Sequence, residues 1–562
     1  MPWETSRTAS SSEPQAQRNA RAGLLRQLCE SVVVLAVAVL SFREFAAEGY
    51  LISTGSMAPF LLGYHRQVAC PECHYHFALG VALRDEDSTG GHARAQDLYG
   101  DELSLRSVAV CPLCGFGHIA IDDLPRNEGD QLMVHKHAYQ FRDPHRWEVI
   151  VFRNPADPEQ AYVKRVVGLP GDRVSLLDGD VSINGEVQAK PLASQQAMRI
   201  LVDDHAYEPD LDSAMEWQPR WFTRTESGWE DVNATFVYTP TSDRHRRGDS
   251  RDWLTFRHWI ATGGRHVTTV PLERWPEGIG LPPAGGDSVS YDPSKRALSC
   301  VGVLGEGARE RWESASTDAQ FRDAIAHLAE ASHEAPIIDD YGYNRHNDGS
   351  SAFVIRDLML SFDLEAVDRD GMLIVEINDG RREYSVEFDF TRGEAALFSD
   401  EADNSLEVIP LAHDVTNAPM GVEMSLMDQQ VLVAINGAPL FPPVHYDGNG
   451  RNEPAPRRPL RLAAADGRFR VSNLRVYRDV YYTPKSEDRG PIELASDEFF
   501  VLGDNSPVSL DSRCWDDPAV RREDLIGKPL AVHLPSHQGR LTLFGETHYV
   551  RIPDFSRVRY IR

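Results

Sequence analysis

Hydrophobic residues along this 562-residue chain fall mostly into short runs rich in β-branched and aromatic side chains, separated by glycine, proline, asparagine and aspartate. Residues 129–136, 147–155 and 162–167 are such runs, and each has a turn signal at one end at least, which predicts strands. The third closes at the Pro170-Gly171-Asp172 turn. Residues 174–187 then predict a hairpin, with Asp178-Gly179 and Asn184-Gly185 as turn pairs. Seven further strands are predicted over 353–367, 371–378, 383–390, 422–426, 430–436, 460–464 and 469–477. Turns at Asn378-Asp379-Gly380, Ile435-Asn436-Gly437 and Ala465-Asp466-Gly467 separate some of them, the signature of a β-sandwich at about 350–480. Helical spacing is local: over 317–331, Phe321, Ile325, Leu328 and Ala329 share one face. The expected fold class is mainly β.

The N-terminus has a different pattern. Residues 1–22, rich in Ser, Ala, Gln and Arg, read as a disordered tail. Residues 32–42 are strongly apolar but supply only half of the ~20 residues a spanning helix needs. Extension over 23–49 gives the length and brings in Arg26, Glu30, Arg43, Glu44 and Glu48. A retained anchor and a cleaved secretory signal both fit that run. Arg7, Arg18, Arg21 and Arg26 precede it and Arg43 alone follows closely, which puts the N-terminus in the cytoplasm and the remainder outside.

Length predicts three or four domains. The net charge of −27 excludes a nucleic-acid binder, which needs a basic stripe. Four of the seven cysteines form two pairs, Cys70-Pro71-Glu72-Cys73 and Cys111-Pro112-Leu113-Cys114. Two such turns complete a four-thiolate shell, a zinc-ribbon-like insertion over 67–120 that would hold structural zinc. Outside the cytoplasm, disulfides are the other reading. A closed four-thiolate site supplies no catalysis, and no catalytic cofactor is expected. Ser56 stands just after the apolar segment, and Lys164 lies in the β-branched run around Val163, Val166 and Val167. Desolvation there lowers an ammonium pKa, and a neutral amine can take a serine proton. Ser56 and Lys164 therefore read as a nucleophile and general base.

Thr54-Gly55-Ser56-Met57-Ala58-Pro59, then Val163-Lys164-Arg165-Val166-Val167-Gly168-Leu169-Pro170-Gly171-Asp172, then Gly503 to Arg513 resemble the motifs of bacterial type I signal peptidases in their order. The resemblance implies an all-β, Ser–Lys catalytic core built from 50–66, 121–192 and 490–562, retained on its anchor. It implies Thr54 as an oxyanion-hole hydroxyl and Ser509 as the hydroxyl that orients the lysine. Asp511 and Arg513 would pair to hold the final loop, with Gly503, Asp504 and Asn505 shaping its turn. Tyr50, Ile52, Leu61 and Val163 would line shallow substrate pockets, each with core packing as its plainer role. Ser53 departs from the proline usual there. The implied substrates are secreted preproteins with signal peptides, met at the lipid bilayer of the bacterial inner membrane. The insertion at 193–489 has no catalytic motif, and its sandwich resembles concanavalin-like lectins and glucanases in general pattern. Its ligand is open, a glycan or an envelope protein among the choices. A membrane-tethered binding protein and a protease of narrow substrate range are the alternative functions.

Overall fold

The computed structural model describes residues 26–27, 29–35, 37, 47–81, 108–209, 219–240, 251–258, 267–280, 289–344, 353–411, 419–448, 454–485 and 490–561, less 118, 156, 224–226, 534 and 544–545. The expected tail, most of the expected anchor and residues 82–107 between the two cysteine pairs lie outside the described residues. Within the anchor stretch, 26–27, 29–35 and 37 are helical, and Val32, Val33, Val34, Leu35 and Val37 are all exposed. Among the described residues no helix is long and apolar enough to cross a membrane.

The protein is mainly β. Its core sheet contains β1 (Ala47–Leu51), β2 (Gln131–His135), β3 (Val149–Asn154), β4 (Asp157–Gly168), β5 (Glu498–Leu502) and β6 (Leu525–Val532). Their order is β1–β2–β6–β3–β4–β5, with the short strand Val520–Arg521 beyond β5. The last segment of the chain thus slots β6 between β2 and β3 and lays β5 on β4. Alternation along β3 serves both faces. Val149 and Val151 pack with Ile52, Leu132 and Val134, while Ile150 and Phe152 pack with Val166, Phe499 and Val501. The hairpin after β4 turns at Asp178-Gly179 and Asn184-Gly185, all four at positive φ, as the sequence pairs predict.

Two further sheets of nine and seven strands enclose one large core that includes Trp221, Phe236, Phe362, Val375, Phe388 and Phe469. All seven expected strands occur here, although the first runs Leu358–Ala366 rather than from 353. Phe353 instead stacks on Tyr481 at 5.0 Å between ring centres. Strands from earlier in the chain, Trp221–Thr223, Trp229–Asp231, Phe236–Tyr238 and Asp252–Phe256, join the same two sheets. They are three to five residues long, too short for a periodicity to show. The expected helix spans Ala319–Ser332, capped by Asp318, whose carboxylate accepts from the Gln320 and Phe321 amides. A second helix, Glu306–Ala315, had no apolar stripe to announce it and buries no residue fully.

One buried cluster fastens the sandwich to the core. Lys190, just after the core hairpin, reaches Asp428 at 2.5 Å and Asp479 at 2.6 Å, and its ammonium lies 4.7 Å from the Trp147 ring centre. All three ionic side chains are nearly inaccessible. Removing one partner of such a cluster leaves uncompensated buried charge, which costs about 3–5 kcal/mol. Lys190→Ala is expected to lose that much stability in a urea titration, whereas Lys295→Ala, at an exposed pair, is expected to change it by under about 1 kcal/mol.

Candidate active site

The turn that carries Ser56 is held from both ends. At its start, the Ile52 amide donates to the Asp130 carbonyl at 3.0 Å. At its end, the Leu62 amide donates to the Asp130 carboxylate at 3.0 Å, and the Asp130 amide donates to the Leu62 carbonyl at 2.8 Å. Arg557, near the C-terminus, pairs with the same carboxylate at 2.8 Å. Buried Met57 and Leu61 pack beneath, so the turn stands on the core and leaves Ser56 partly exposed.

Lys164 comes from β4, opposite Ile150 of β3. Its Nζ lies 2.7 Å from Ser56 Oγ and 3.2 Å from the Val163 carbonyl. The side chain is only 3 % exposed. Burial pushes its pKa down from 10.5 to about 8; Asp511 and Asp504 pull it upward and Arg513 downward. The physical basis is desolvation of the ammonium form. A neutral amine this close to a serine hydroxyl accepts its proton and leaves an alkoxide-like nucleophile. Thr54 Oγ1 is 3.5 Å from Ser56 Oγ, at the limit of a hydrogen bond and on the exposed side of the turn.

The final motif forms the inner wall. Asp504, Asn505, Ser506, Ser509, Asp511 and Ser512 are all at or near zero exposure. Asp504 makes a two-pronged pair with Arg165 at 2.8 and 2.6 Å. Asp511 makes another with Arg513 at 2.8 and 2.6 Å and accepts from the Gly503 amide at 3.0 Å. Burial opposes ionisation of Asp511, yet the Arg513 guanidinium outweighs it and keeps the carboxyl below its usual range. Asn505 donates from its backbone to the Ser56 carbonyl at 3.0 Å and from its side chain to the Gly55 carbonyl at 2.9 Å. A Cβ at Gly503 would fall 2.5 Å from the Ser56 carbonyl oxygen and 2.1 Å from Ser509 Oγ. Only glycine lets the two loops come this close.

Two expected roles look different in three dimensions. Ser509 is buried beside Gly503, and its Oγ makes no hydrogen bond to the lysine amine in this geometry. Asp504 does more than shape a turn, since it neutralises Arg165. A buried arginine beside the lysine needs a carboxylate of its own, a signal present in Lys164-Arg165. Among the expected pocket residues, Ile52 and Leu61 are enclosed in the core, while Tyr50 and Val163 keep part of their surface beside them. Tyr341, Tyr343 and Asn344, from the long insertion, also touch this loop system, and no sequence pattern near the motifs points to them.

The four cysteines converge at a separate place. Cys70 Sγ lies 3.5 Å from Cys114 Sγ and Cys73 Sγ lies 3.6 Å from Cys111 Sγ, all four buried and none disulfide-bonded. Four sulfurs at 2.3 Å around a tetrahedral ion stand about 3.8 Å apart, so this spacing fits a zinc shell. Each half is the same knuckle: the Cys70 amide donates to the Tyr75 carbonyl and the Cys111 amide to the Phe116 carbonyl, both at 2.9 Å.

Residues 124–267 and 422–534 match the family model for signal peptidase, peptidase S26. These stretches hold Lys164 and the 503–513 loop, and Ser56 precedes them. Signal peptidase I of Pseudomonas aeruginosa is 40 % identical over 142 residues, 22 % of this chain and 49 % of the relative. Signal peptidase I of Pseudomonas fluorescens is 34 % identical over 143 residues, again 22 % and 49 %. The chain spans about half the length of these curated relatives. Among solved structures, the carbohydrate-binding module CBM66 from Bacillus subtilis is similar at 14 % identity and a TM-score of 0.17, over 21 % of this chain and 74 % of that one. A likeness that slight carries no inference.

The direct check on the site is the Lys164 titration. Its ε-amine, followed by nitrogen-15 NMR in selectively labelled protein, is expected to titrate near 8, whereas exposed lysines titrate near 10.4.

Proposed function

We propose that this chain, a relative of the type I signal peptidases through its S26 stretches, is a membrane-bound serine endopeptidase that removes signal peptides from secreted preproteins. The observation that carries the reading is the 2.7 Å approach of a buried, pKa-lowered Lys164 to Ser56. Lys164 takes the hydroxyl proton as Ser56 attacks the scissile carbonyl. The Ser56 amide, joined by Thr54, receives the developing oxyanion, and one such donor typically supplies about 2.7–4 kcal/mol. The protonated lysine then hands its proton to the leaving amine, which frees the mature protein. Water, deprotonated by the same lysine, resolves the acyl-enzyme. Asp511–Arg513 and Arg165–Asp504 keep the inner loop rigid, and Tyr50 and Val163 offer shallow apolar surface to small side chains near the cut. The substrate would lie as an added strand along the sheet edge, where backbone pairing tolerates many sequences.

The apolar, exposed residues around Val32–Val37 support an anchor there, with the N-terminus cytoplasmic and the catalytic part outside, at the bacterial inner membrane. The four cysteines would hold one structural zinc and take no part in the chemistry. The sandwich would meet a glycan or an envelope protein.

Detergent-solubilised full-length protein is expected to cleave a preprotein at its signal junction, with Ser56→Ala and Lys164→Met both inactive. Failure of the folded wild type across several preproteins would favour a tethered binding protein or a narrow specialist, and cleavage surviving both substitutions would place the chemistry elsewhere. The working base is the neutral lysine, so cleavage rises with pH through about 8. At pH 6 it is expected to be about 100-fold below its plateau, the ratio set by two units of protonation. Protein purified without chelators is expected to contain one zinc per chain by elemental analysis, and Cys73→Ser with Cys111→Ser to contain none.

A further inference from the structure

The segment Asp339–Asn344 lies in the long insertion, between the helix Ala319–Ser332 and the sandwich strand Leu358–Ala366. Its first part is tied to the sandwich. Asp339 pairs with Arg478 at 3.2 Å, the Asp340 carbonyl accepts from Arg478 at 2.7 Å, and the Arg478 guanidinium sits 4.6 Å from the Tyr341 ring centre. Its second part leaves the sandwich and enters the peptidase core. The Tyr341 hydroxyl donates to the Asp504 carbonyl at 3.0 Å. The Tyr343 hydroxyl donates to the Tyr64 carbonyl at 2.9 Å, and the Tyr343 carbonyl accepts from the Gly80 amide, on a strand of the cysteine module, at 2.7 Å. Tyr343 packs with Ala58 and Leu62 at the back of the nucleophile turn. It presses so close that a Cβ at Gly55 would fall 2.2 Å from its ring.

Asn344 reaches furthest. Its amide and that of Asn505 exchange two hydrogen bonds, at 2.7 and 2.8 Å. The second N–H of Asn505 goes to the Gly55 carbonyl at 2.9 Å. The Gly55 carbonyl and the Ser56 amide belong to one planar trans peptide and point in opposite directions. Whatever holds that oxygen therefore aims that N–H. Glycine at 55 has no side chain to restrict its own torsions, so the aim must come from outside: from the Ala58 amide at 3.0 Å within the turn, and from Asn505 across it. Asn505 is completely buried, and without Asn344 it would keep one donor and one acceptor unmatched, which favours rotation away from Gly55.

We propose that Tyr341–Asn344 is a positioning strap by which the inserted domain completes the peptidase site: Asn344 orients the Gly55–Ser56 peptide through Asn505, and Tyr343 closes the turn from behind. The strap rests on the peptidase reading for its effect on rate, and on nothing but the fold for its effect on the turn. These residues position the nucleophile and do not touch substrate.

The test uses the full-length chain with Asn344→Ala, Tyr343→Ala and the conservative Tyr343→Phe. A displaced nucleophile costs on the order of 100-fold in rate, so Asn344→Ala is expected to lower kcat by roughly 10–100-fold with KM within about twofold. The midpoint of its pH profile should stay put, because Lys164 remains buried. Tyr343→Phe keeps the ring and is expected to stay within about threefold of wild type, while Tyr343→Ala falls with Asn344→Ala. Hydrogen exchange gives a readout independent of cleavage: the amides of residues 56–58 and 60–62 should exchange at least tenfold faster in Asn344→Ala, with β3 and the strand Leu358–Ala366 unchanged. Wild-type kcat together with wild-type exchange at 56–62 would overturn the strap. Exchange accelerated equally in the sandwich would overturn it too, since Asn344 would then only stabilise the fold. If wild type cleaves no preprotein, the peptidase reading fails, while the exchange experiment still decides whether the strap holds the turn.

Discussion

The dry environment of Lys164 is the constraint from which the site follows. An amine beside a serine hydroxyl can serve as a general base near neutral pH only where its pKa is brought down toward that range, and burial lowers that of Lys164 to about 8. Two carboxylates stand close enough to undo the effect. Asp504 and Asp511 both pull the lysine pKa upward, and each is matched by its own guanidinium, Arg165 and Arg513. The two buried ion pairs thus have an electrostatic task as well as a structural one: they keep the wall polar and hydrogen-bonded without presenting bare negative charge to the amine.

That environment needs three remote segments in one place, and the sheet order provides it. Lys164 and Arg165 arrive on β4, their partner loop leaves the end of β5, and β5 is hydrogen-bonded to β4 with Val166 opposite Val501. The turn that carries Ser56, following β1, closes against that loop through the Ser56 carbonyl and the Asn505 amide. Gly503 permits the contact, because its missing side chain is the space that the Ser56 carbonyl and Ser509 fill. The insertion interrupts the chain between β4 and β5 without breaking the sheet, since both strands return to the same neighbours. Lys190 fastens it to the core through two sandwich carboxylates, and the segment ending at Asn344, tied to the sandwich by Arg478, meets the core at Asp504, Tyr64 and Asn505.

The cysteine module illustrates how local and tertiary information divide. Each Cys-x-x-Cys predicts a knuckle, and each knuckle closes its own turn by local backbone bonds. Their pairing across 38 residues, counted from Cys73 to Cys111, places Cys70 near Cys114 and Cys73 near Cys111. No local signal gives that crosswise arrangement, which depends on how the two knuckles face each other.

By itself the sequence determined the mainly β class, the strands with strong alternation, the hairpin turns whose residues tolerate positive φ, and the helix at Ala319–Ser332. These are local properties, governed by side-chain period and by backbone torsion at glycine, asparagine and aspartate. It also nominated Ser56 and Lys164 by residue type and setting, and the loop from Gly503 to Arg513 by its resemblance to a family motif. Only the tertiary structure decided which of them touch. It set Ser509 apart from the lysine amine and gave Asp504 to Arg165. It also brought Tyr343 to Tyr64, 279 residues away along the chain, and Asn344 to Asn505, 161 residues away. Such contacts are set by packing shape and by the need to satisfy every buried polar group, and neither quantity exists until the sheets have closed.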